Sequence, residues 1–441
     1  MKKFLALLLA TVMLLTCGVL FAACSEAEPD ADEENVETPA EDDESNKTPE
    51  DEKTPVEETT AFTKTKKFGV ILIGDENEGY TYAHIDGIKT AAKALGVADS
   101  DILWKYTVPE DQTCYDAAID LIANGCTTIF SNSYGHQTFM QTAAKENPKI
   151  QFVSMTGDTA RASGLGNFSN AFTKVYESRY VSGVVAGLKL QELAANNQIP
   201  AESIDANGNY KIGYVGAFPY AEVVSGYTAF FLGVQSIVPN VVMKVTYTNS
   251  WFDITAEGTT AEALMADGCI IICRHADSTG APQAVQAAYD NGKTVFSVGY
   301  NISMLEVAPD VALTSASNNW SRYYEYAMGA AMKGEKIATN WSQGYANDAV
   351  RITDLGPNVA AGTAEKVDEV IAAIKDGTLK VFDTSKFTVG GKAVESAFAT
   401  DSNGDFTPDC DEAIFDGCYN ESYFQSAPSF QLRIDGITES N

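Results

Sequence analysis

The feature that most restricts the fold is a regular alternation of short apolar segments with amphipathic segments between residues 67 and 376. The segment GVILI at 69–73 has the length and branching of a buried strand, and the apolar residues after it recur every three or four positions up to Gly96, which is typical of a helix. The later strand segments are TTIF (127–130), FVSM (152–155), IGYVGAF (212–218), VVMKVTYT (241–248), CIIIC (269–273) and TVFSVG (294–299). Because strands that are apolar on both faces need helices on both sides, the pattern predicts an α/β fold with parallel sheets.

The two halves of this region repeat each other. LIANGCTTIF at 121–130 aligns with LMADGCIIIC at 264–273, an offset of 143 residues. Two further alignments have an offset of 144: AAKENPKIQF at 143–152 with AAYDNGKTVF at 287–296, and FGVIL at 68–72 with IGYVG at 212–216. Segments in the same order at nearly one offset indicate a duplicated set of strand–helix units. We therefore expect two doubly wound parallel-sheet lobes joined by a hinge, with a ligand cleft at the carboxyl ends of the strands.

The expected domain boundaries follow this repeat. We assign residues 67–169 plus 300–338 to an N-terminal lobe and residues 170–299 plus 339–385 to a C-terminal lobe. Residues 386–441 form a C-terminal extension, in which residues 422–437 have the pattern of an ordered final strand.

No sequence motif indicates an enzyme. The chain has three histidines and contains no GxxxxGK[ST], GxSxG, HExxH or intact GxGxxG. It also has no CxxC and no metal-ligand spacing, so we expect neither a cofactor nor zinc. A binding protein needs only aromatic walls and a few polar groups at strand ends, and those are present. We therefore expect a binding protein, with an extracytoplasmic enzyme or a receptor as the alternative from another class.

Aromatic and polar side chains follow the predicted strands in both halves. The segments that carry them are GDENEGYTYAH (74–84), SNSYG (131–135), YTNSWFD (247–253), RHADS (274–278) and SVGYN (297–301). Aromatic rings stack on planar ligands, and Asp or Asn pairs with N–H edges. Sugars, which also stack on aromatic rings, are the competing ligand class. The candidate ligand residues are Asp75, Tyr80, Tyr82, Ser133, Trp251, Phe252, His275, Asp277, Tyr300 and Asn319.

The same segments resemble a known family. The order GD…GYTYAHIDG, LIANGCTTIFSNSYG, NFSNAFTKVYESRYVSGVVAG, KIGYVGAFPYAEVVSG, TNSWFD, HADS and NNWSRYY, over residues 67–356, is similar to that of the basic membrane protein (BMP) family. These are substrate-binding lipoproteins of ABC importers. The resemblance implies a periplasmic-binding-protein type 1 fold, ABC-transporter permease subunits as partners, and a purine base or nucleoside as a ligand that is bound without chemistry.

The resemblance also implies roles for individual residues. Tyr80 stands where the purine-binding branch of the family has a stacking tryptophan, and Trp251 fits the second stacking partner. Asp277, with His275 beside it, fits the acid that reads the edge of the base. Asn319 belongs to a segment that lines the cleft or lies at the hinge.

The N-terminal residues lack the alternating pattern. Residues 1–24, MKKFLALLLATVMLLTCGVLFAAC, combine a basic start, an apolar stretch and Ala-Ala before a cysteine, which resembles a bacterial signal peptide with a lipobox. Cys24 is therefore the predicted lipidation site, and its acyl chains would anchor the protein at the extracytoplasmic face of the cell membrane. A retained transmembrane helix is the alternative. Residues 25–66 are predicted to be a disordered acidic tether, because residues 25–61 hold 16 acids, 2 lysines and almost no large apolar side chain.

The net charge of the chain is −30. The signal and tether account for less than half of it, so the remainder of the chain is also strongly acidic. Such a charge argues against nucleic acid and anionic lipid surfaces as partners. We expect a monomer.

The tail contains two features that could hold it together. Cys410 and Cys418 are the only pair that looks bridgeable from the sequence. The segment DSNGDFTPDCDE (401–412) has a weak likeness to an EF-hand calcium loop, but Phe406 replaces the glycine of position 6. We favour an acidic surface loop over a calcium site. The residues at ligand positions are Asp401, Asn403, Asp405, Asp409 and Glu412.

Overall fold

The computed structural model describes residues 62–402 and 407–440. The predicted signal peptide, Cys24 and the tether up to residue 61 lie outside these ranges. The strands are β1 (Phe68–Ile71), β2 (Ile102–Lys105), β3 (Thr128–Ser131), β4 (Gln151–Met155), β5 (Phe168–Ala171), β6 (Tyr210–Gly216), β7 (Val241–Tyr247), β8 (Ile271–Arg274), β9 (Phe296–Tyr300), β10 (Ala312–Asn318), β11 (Asn340–Trp341), β12 (Val350–Ile352), β13 (Phe398–Thr400), β14 (Cys410–Glu412), β15 (Ile414–Phe415), β16 (Cys418–Tyr419) and β17 (Ile437–Ser440). The helices are α1 (Gly79–Leu95), α2 (Gln112–Ala123), α3 (His136–Glu146), α4 (Ala160–Ser163), α5 (Val175–Ala195), α6 (Ala221–Gln235), α7 (Ile254–Ala266), α8 (Gly280–Asp290), α9 (Trp320–Lys333) and α10 (Thr363–Lys375).

Two large sheets form the frame of the described chain, and their inner strands repeat one order. The first sheet runs β11-β5-β4-β3-β1-β2, and the second runs β12-β10-β9-β8-β6-β7-β17. Strands β1 to β5 and strands β6 to β10 therefore take the same order and pair in parallel within their sheets. The prediction of two doubly wound parallel-sheet lobes is confirmed. Each lobe buries its strands beneath helices, as β1, β3 and β8 show by having every residue buried.

Local signals in the sequence set the ends of several helices. Gly96 follows α1 with a φ of 71°, a left-handed conformation that ends helices and suits glycine. Asp111 and Asp253 precede α2 and α7, and their side chains accept hydrogen bonds from backbone amides of the first turn. These residues fix where α1 ends and where α2 and α7 begin.

The chain crosses between the sheets at positions that differ from the predicted boundaries. Strand β10, expected in the N-terminal lobe, pairs with β9 in the second sheet, and β11, expected in the C-terminal lobe, pairs with β5 in the first. Helix α9 does pack on the first lobe, against α1, where Gly87 lets Trp320 approach closely. The crossing segments are bonded to one another: the amide of Lys174 donates to Gln343, and that of Asn319 to Ala349, each at 2.8 Å.

Both ends of the described chain differ from the sequence prediction. Phe62 and Thr65, assigned to the tether, are buried, and their amides donate to backbone carbonyls that follow or end α9. At the other end the final strand is Ile437–Ser440, in parallel with β7, and not 422–437. Residues 422–436 instead contribute Phe430 and Ile434 to the apolar core of the second lobe, and Pro428 supplies no amide for a ladder.

Two glycines let the helices α5 and α6 of the second lobe pack closely. A Cβ atom at Gly183 would lie 2.1 Å from the carbonyl oxygen of Phe230, and one at Gly233 would lie 2.1 Å from that of Tyr180. Glycine at both positions therefore permits α5 and α6 to cross closely.

Cys410 and Cys418 are free thiols in the structure, so no disulfide joins them there.

Candidate functional site

A cleft of about 470 Å³ is lined by segments that follow strands of both sheets. The carboxyl ends of β1 and β3 supply lining residues from the first lobe, and those of β7, β8 and β9 supply them from the second. This is the place where ligands bind in open α/β sheets.

Most of the predicted ligand residues meet in this cleft. Those that line it are Asp75, Tyr80, Ser133, Trp251, Phe252, Asp277 and Tyr300. They come from five separate segments of the chain, so the fold brings together residues that lie up to 225 positions apart in the sequence.

Three predicted ligand residues do not line the cleft. Tyr82 lies on α1 with 46% of its surface exposed. His275 is fully buried below the cleft wall. Asn319 precedes α9, where its side-chain amide donates to the carbonyl oxygen of Asp348 at 2.7 Å, so it lies at a crossing between the sheets.

The duplication could have identified lining residues that the prediction missed. Glu222 and Thr156 line the cleft but were not proposed as ligand residues. Both stand 144 positions from another lining residue, which is the offset that aligns the first strands of the two halves. The four lining pairs at this offset are Glu78 with Glu222, Thr107 with Trp251, Ser133 with Asp277, and Thr156 with Tyr300. The two lobes thus present equivalent positions to one cleft. Asn132 and Tyr134 are further lining residues that were missed.

The aromatic walls are supported from behind. Trp251 contacts Phe218 and Tyr220, with ring centroids 5.4 and 6.2 Å apart. On the opposite lobe, the hydroxyl of Tyr80 donates to the carbonyl oxygen of Asn132, and its ring meets the edge of His84 at 4.6 Å. These contacts fix the two rings in place while part of each remains open to the cleft.

The carboxylates of the cleft are held in a poorly hydrated environment. Burial and the nearby carboxylate of Glu78 raise the pKa of Asp277 well above its usual range, and Asn301 donates a 2.8 Å hydrogen bond to its Oδ1. Burial raises the pKa of Glu222 to about 7, against the opposing effect of Arg179. Burial also raises the pKa of Glu78. With a pKa near neutrality, Glu222 can present both protonated and ionised oxygens to a ligand at neutral pH.

His275 supports Glu222 from below. Its Nε2 lies 3.3 Å from Oε1 of Glu222, and its Nδ1 lies 3.0 Å from the hydroxyl of Tyr214. Burial and two nearby arginines lower the pKa of His275 well below its usual value, so the ring is neutral. A neutral ring can donate from Nε2 to Glu222 and accept from Tyr214 at Nδ1. In the structure His275 thus contacts a cleft carboxylate and does not itself line the cleft.

Positive charge lies behind the cleft and not in its lining. The lining contains no Lys, Arg or His among the described residues. Arg179 lies 3.7 Å from the ring centroid of Tyr300 and donates to the carbonyl oxygen of Arg274 at 2.8 Å. Arg274 in turn donates to the carbonyl oxygens of Ala276 and Tyr300. The two buried guanidinium groups offset part of the negative charge but offer no donor in the lining.

The described residues include no cluster that could hold a metal ion. Of the weak calcium candidate loop at 401–412, Asn403 and Asp405 lie outside the described ranges. Asp409 accepts from the amide and hydroxyl of Ser402 at 2.8 Å each, and Glu412 accepts from the amide of Ala397 at 2.9 Å. The two acids therefore accept hydrogen bonds from neighbouring residues of the extension. No helix within 62–402 or 407–440 is long and apolar enough to span a membrane.

A cleft with aromatic walls and carboxylates suits a ligand that can pack against aromatic rings and carries several hydrogen-bond donors. The model of one protein family, described as ABC transporter substrate-binding protein PnrA-like (Bmp), matches residues 73–381. The chain belongs to this family. Its members are extracytoplasmic substrate-binding proteins of ABC importers and not enzymes, so a small-molecule ligand and permease subunits are the partners of a Bmp protein.

Individual relatives agree with the family. A purine-binding protein of Brucella abortus is 31% identical to this Bmp chain over 317 residues, covering 72% of this chain and 83% of the relative. A candidate glucose-binding protein of an ABC transporter from Haloferax volcanii is 30% identical over 259 residues, covering 59% and 60% of the two chains. Among solved structures, an ABC transporter solute-binding protein from Conexibacter woesei covers 71% of this chain and 97% of its own at 19% identity, with a TM-score of 0.56. This likeness shows the periplasmic-binding-protein type 1 fold, as predicted.

Proposed function

We propose that this protein captures a purine base or nucleoside outside the cytoplasm and delivers it to the permease of an ABC importer. The observation that carries the purine assignment is the pairing of Tyr80 and Trp251, from opposite lobes, in one cleft with Asp277 and Glu222. A flat heteroaromatic ring gains stacking energy from aromatic side chains, and its N–H groups can donate to carboxylate oxygens. The Brucella relative, named as a purine-binding protein, supports the same assignment.

The charge of the cleft favours a base or nucleoside over a nucleotide. Four acids, Asp75, Glu78, Glu222 and Asp277, line it, and none of its described lining residues is basic. A phosphate group would lose its hydration in this cleft without gaining the arginine or lysine donors that recognise phosphates.

A sugar is the second candidate ligand. Sugars also pack on aromatic rings and donate to carboxylates, and the Haloferax relative is a candidate glucose-binding protein. The 30% identity of that relative is close to the 31% of the purine-binding relative, which makes this alternative worth testing directly.

The ligand would be enclosed by movement of the lobes. We propose that they rotate about the crossing segments, which join the two sheets near Lys174, Asn319 and Gln343. The protein would act as a monomer held at the membrane by acyl chains on Cys24, with the acidic segment after Cys24 as its tether.

Calorimetric titration tests the ligand. The purified protein is unfolded and refolded to remove ligand carried from expression, and is then titrated with adenine, guanine, adenosine, guanosine, inosine, ribose, galactose and glucose. We expect tight binding of at least one purine, and recovery of the ligand unchanged. Binding of a sugar alone would keep the fold and replace the ligand, whereas conversion of the ligand would mean that the protein is an enzyme.

A further inference from the structure

The C-terminal extension contacts both lobes, but in different ways. The match to the family model ends at residue 381, so the described extension, residues 386–402 and 407–440, lies beyond it. The family model therefore assigns no function to the extension, and what the extension does depends on its contacts with the two lobes.

Apolar packing fixes the extension to the second lobe. The ring of Phe430 stacks on that of Phe382, with centroids 4.4 Å apart, and meets the edge of Tyr419 at 4.9 Å. Strand β17 pairs with β7 over four residues, and the hydroxyl of Ser225 on α6 donates to Glu421 at 2.7 Å. Several residues of the extension belong to the same apolar core as β6 and β7; they are Phe387, Ala399, Ala413, Cys418, Tyr419, Phe430 and Ile434.

The contacts of the extension with the first lobe are fewer and mostly polar. Arg161, on α4, forms an ion pair with Asp411, lies 3.4 Å from the hydroxyl of Thr400, and has its guanidinium 5.9 Å from the ring centroid of Phe424. Ser426 donates from its amide to the side chain of Asn340 at 3.3 Å, and from its hydroxyl to the carbonyl oxygen of Gly157 at 3.4 Å. Among the described residues, none of the extension belongs to the apolar clusters of the first lobe.

These polar contacts lie next to the cleft. Gly157 directly follows Thr156, which lines the cleft. Asp158 accepts a 2.9 Å hydrogen bond from the hydroxyl of Tyr134, another lining residue. A rotation that opens the cleft would move this loop and Arg161 away from a segment that is fixed to the other lobe. The contacts must then break.

We propose that Thr400, Asp411, Phe424 and Ser426 form a latch that holds the two lobes closed and slows the release of ligand. The inference rests on the hinged closure in the proposed function, but not on the identity of the ligand. An exposed ion pair and a cation–π contact each change an equilibrium by only about two- to fivefold. Contacts of this strength favour the closed arrangement of the lobes and still break when the lobes open. The side chain of Arg161 is 45% exposed and that of Asp411 25%, which places this pair in that range.

The distance between the two lobes can be measured in the protein without a ligand. Spin labels are attached through a non-natural amino acid at Lys93 on α1 and Lys293 after α8, both exposed, because the chain has eight cysteines of its own. Pulsed electron resonance then gives the distance distribution for the wild type, for Arg161→Gln and for Asp411→Asn. The control is Lys366→Gln, which removes an exposed ion pair with Glu369 on α10, away from the latch.

The latch predicts that Arg161→Gln and Asp411→Asn each enlarge the population at long distances, and that the double variant adds little to either. In the protein loaded with whichever ligand calorimetry identifies, Arg161→Gln should speed dissociation by about three- to tenfold. Distributions that match the Lys366→Gln control in both variants would overturn the latch. If no purine binds, the distance measurement still decides the question, so failure of the latch and failure of the proposed ligand are distinguishable.

Discussion

The backbone amide of Asp277 donates to the carbonyl oxygen of Trp251 across 2.7 Å. The acid and the aromatic ring that we assign to the ligand are therefore fixed to each other before any ligand arrives. Because Asn301 also holds the side chain of Asp277, at 2.8 Å, a bound ring would meet a prearranged edge and face.

Replacement of Trp251 by Leu should weaken purine binding by about 2 kcal/mol or more, roughly 30-fold, because both stacking and buried area are lost. Titration calorimetry measures the change. Trp104→Leu is the matched control, since Trp104 stacks on Tyr106 and does not line the cleft. Unchanged affinity in Trp251→Leu would remove this ring from the ligand site.

A phosphate on the ligand should abolish binding. If adenosine binds, we expect adenosine monophosphate to bind about 100-fold more weakly or worse, because its phosphate would lose hydration in an acid-lined cleft that has no basic residue in its described lining. The control is 5′-O-sulfamoyladenosine, which has a similar bulk without the charge. Equal affinities for the nucleoside and its monophosphate would contradict the proposed charge selection.

Stability should fall with pH because of Glu421. Burial raises its pKa to about 8, above the usual 4.5, so the stability that the protonated form contributes is fully present below about 4.5 and is lost as pH rises through 8. Glu421→Gln should flatten the decline in melting temperature between pH 5 and 8 by a few degrees. Glu412→Gln is the control, because hydrogen bonds to Ser396 and Ala397 lower the pKa of Glu412. An unchanged slope in Glu421→Gln would show that Glu421 is not the source.

Replacement of Gly183 by Ala should destabilise the second lobe by about 1–3 kcal/mol, because the added methyl group would collide with the carbonyl of Phe230. Chemical denaturation measures the loss. Gly166→Ala should change stability by less than about 0.5 kcal/mol, since no atom lies within 4 Å of its added Cβ. Similar stabilities of the two variants would mean that α5 and α6 can move apart without cost.

Replacement of Cys24 by Ser should release the protein from membranes, because the acyl chains that we propose as its anchor attach to that thiol. Fractionation of cells that express the wild type or the variant measures the release. A variant that still sediments with membranes would argue for another mode of attachment.

The sequence predicted the strands and their duplication well, because buried parallel strands are continuously apolar and the repeat has a nearly constant offset. It predicted cleft-lining residues such as Trp251 and Asp277 because they lie in the short segments that follow strands. Glu222 was missed because it lies in the first turn of α6, and no candidate was taken from the segment after the strand predicted at 212–218. The crossings between sheets were misplaced because strand partners such as β10 with β9 depend on contacts that no local pattern reports.

The residues that follow predicted strands also differ in where they point. His275 and Asp277 lie two positions apart after β8, yet only Asp277 reaches the cleft, while His275 is buried against Tyr214. The path of the backbone over these two positions decides which side chain faces the cleft. Such choices depend on packing from other elements, which the sequence did not reveal.

The pairing of β17 with β7 has a consequence for association between copies of the chain. Without β17, the seven-residue strand β7 would present a row of unpaired backbone groups to solvent, which is a template for intermolecular sheet formation. The added strand is only four residues long and carries Glu439, whose carboxylate accepts hydrogen bonds from Tyr227 and Tyr247 at 2.6 Å. Loss of these last residues would therefore expose the protein to aggregation before it affected the cleft.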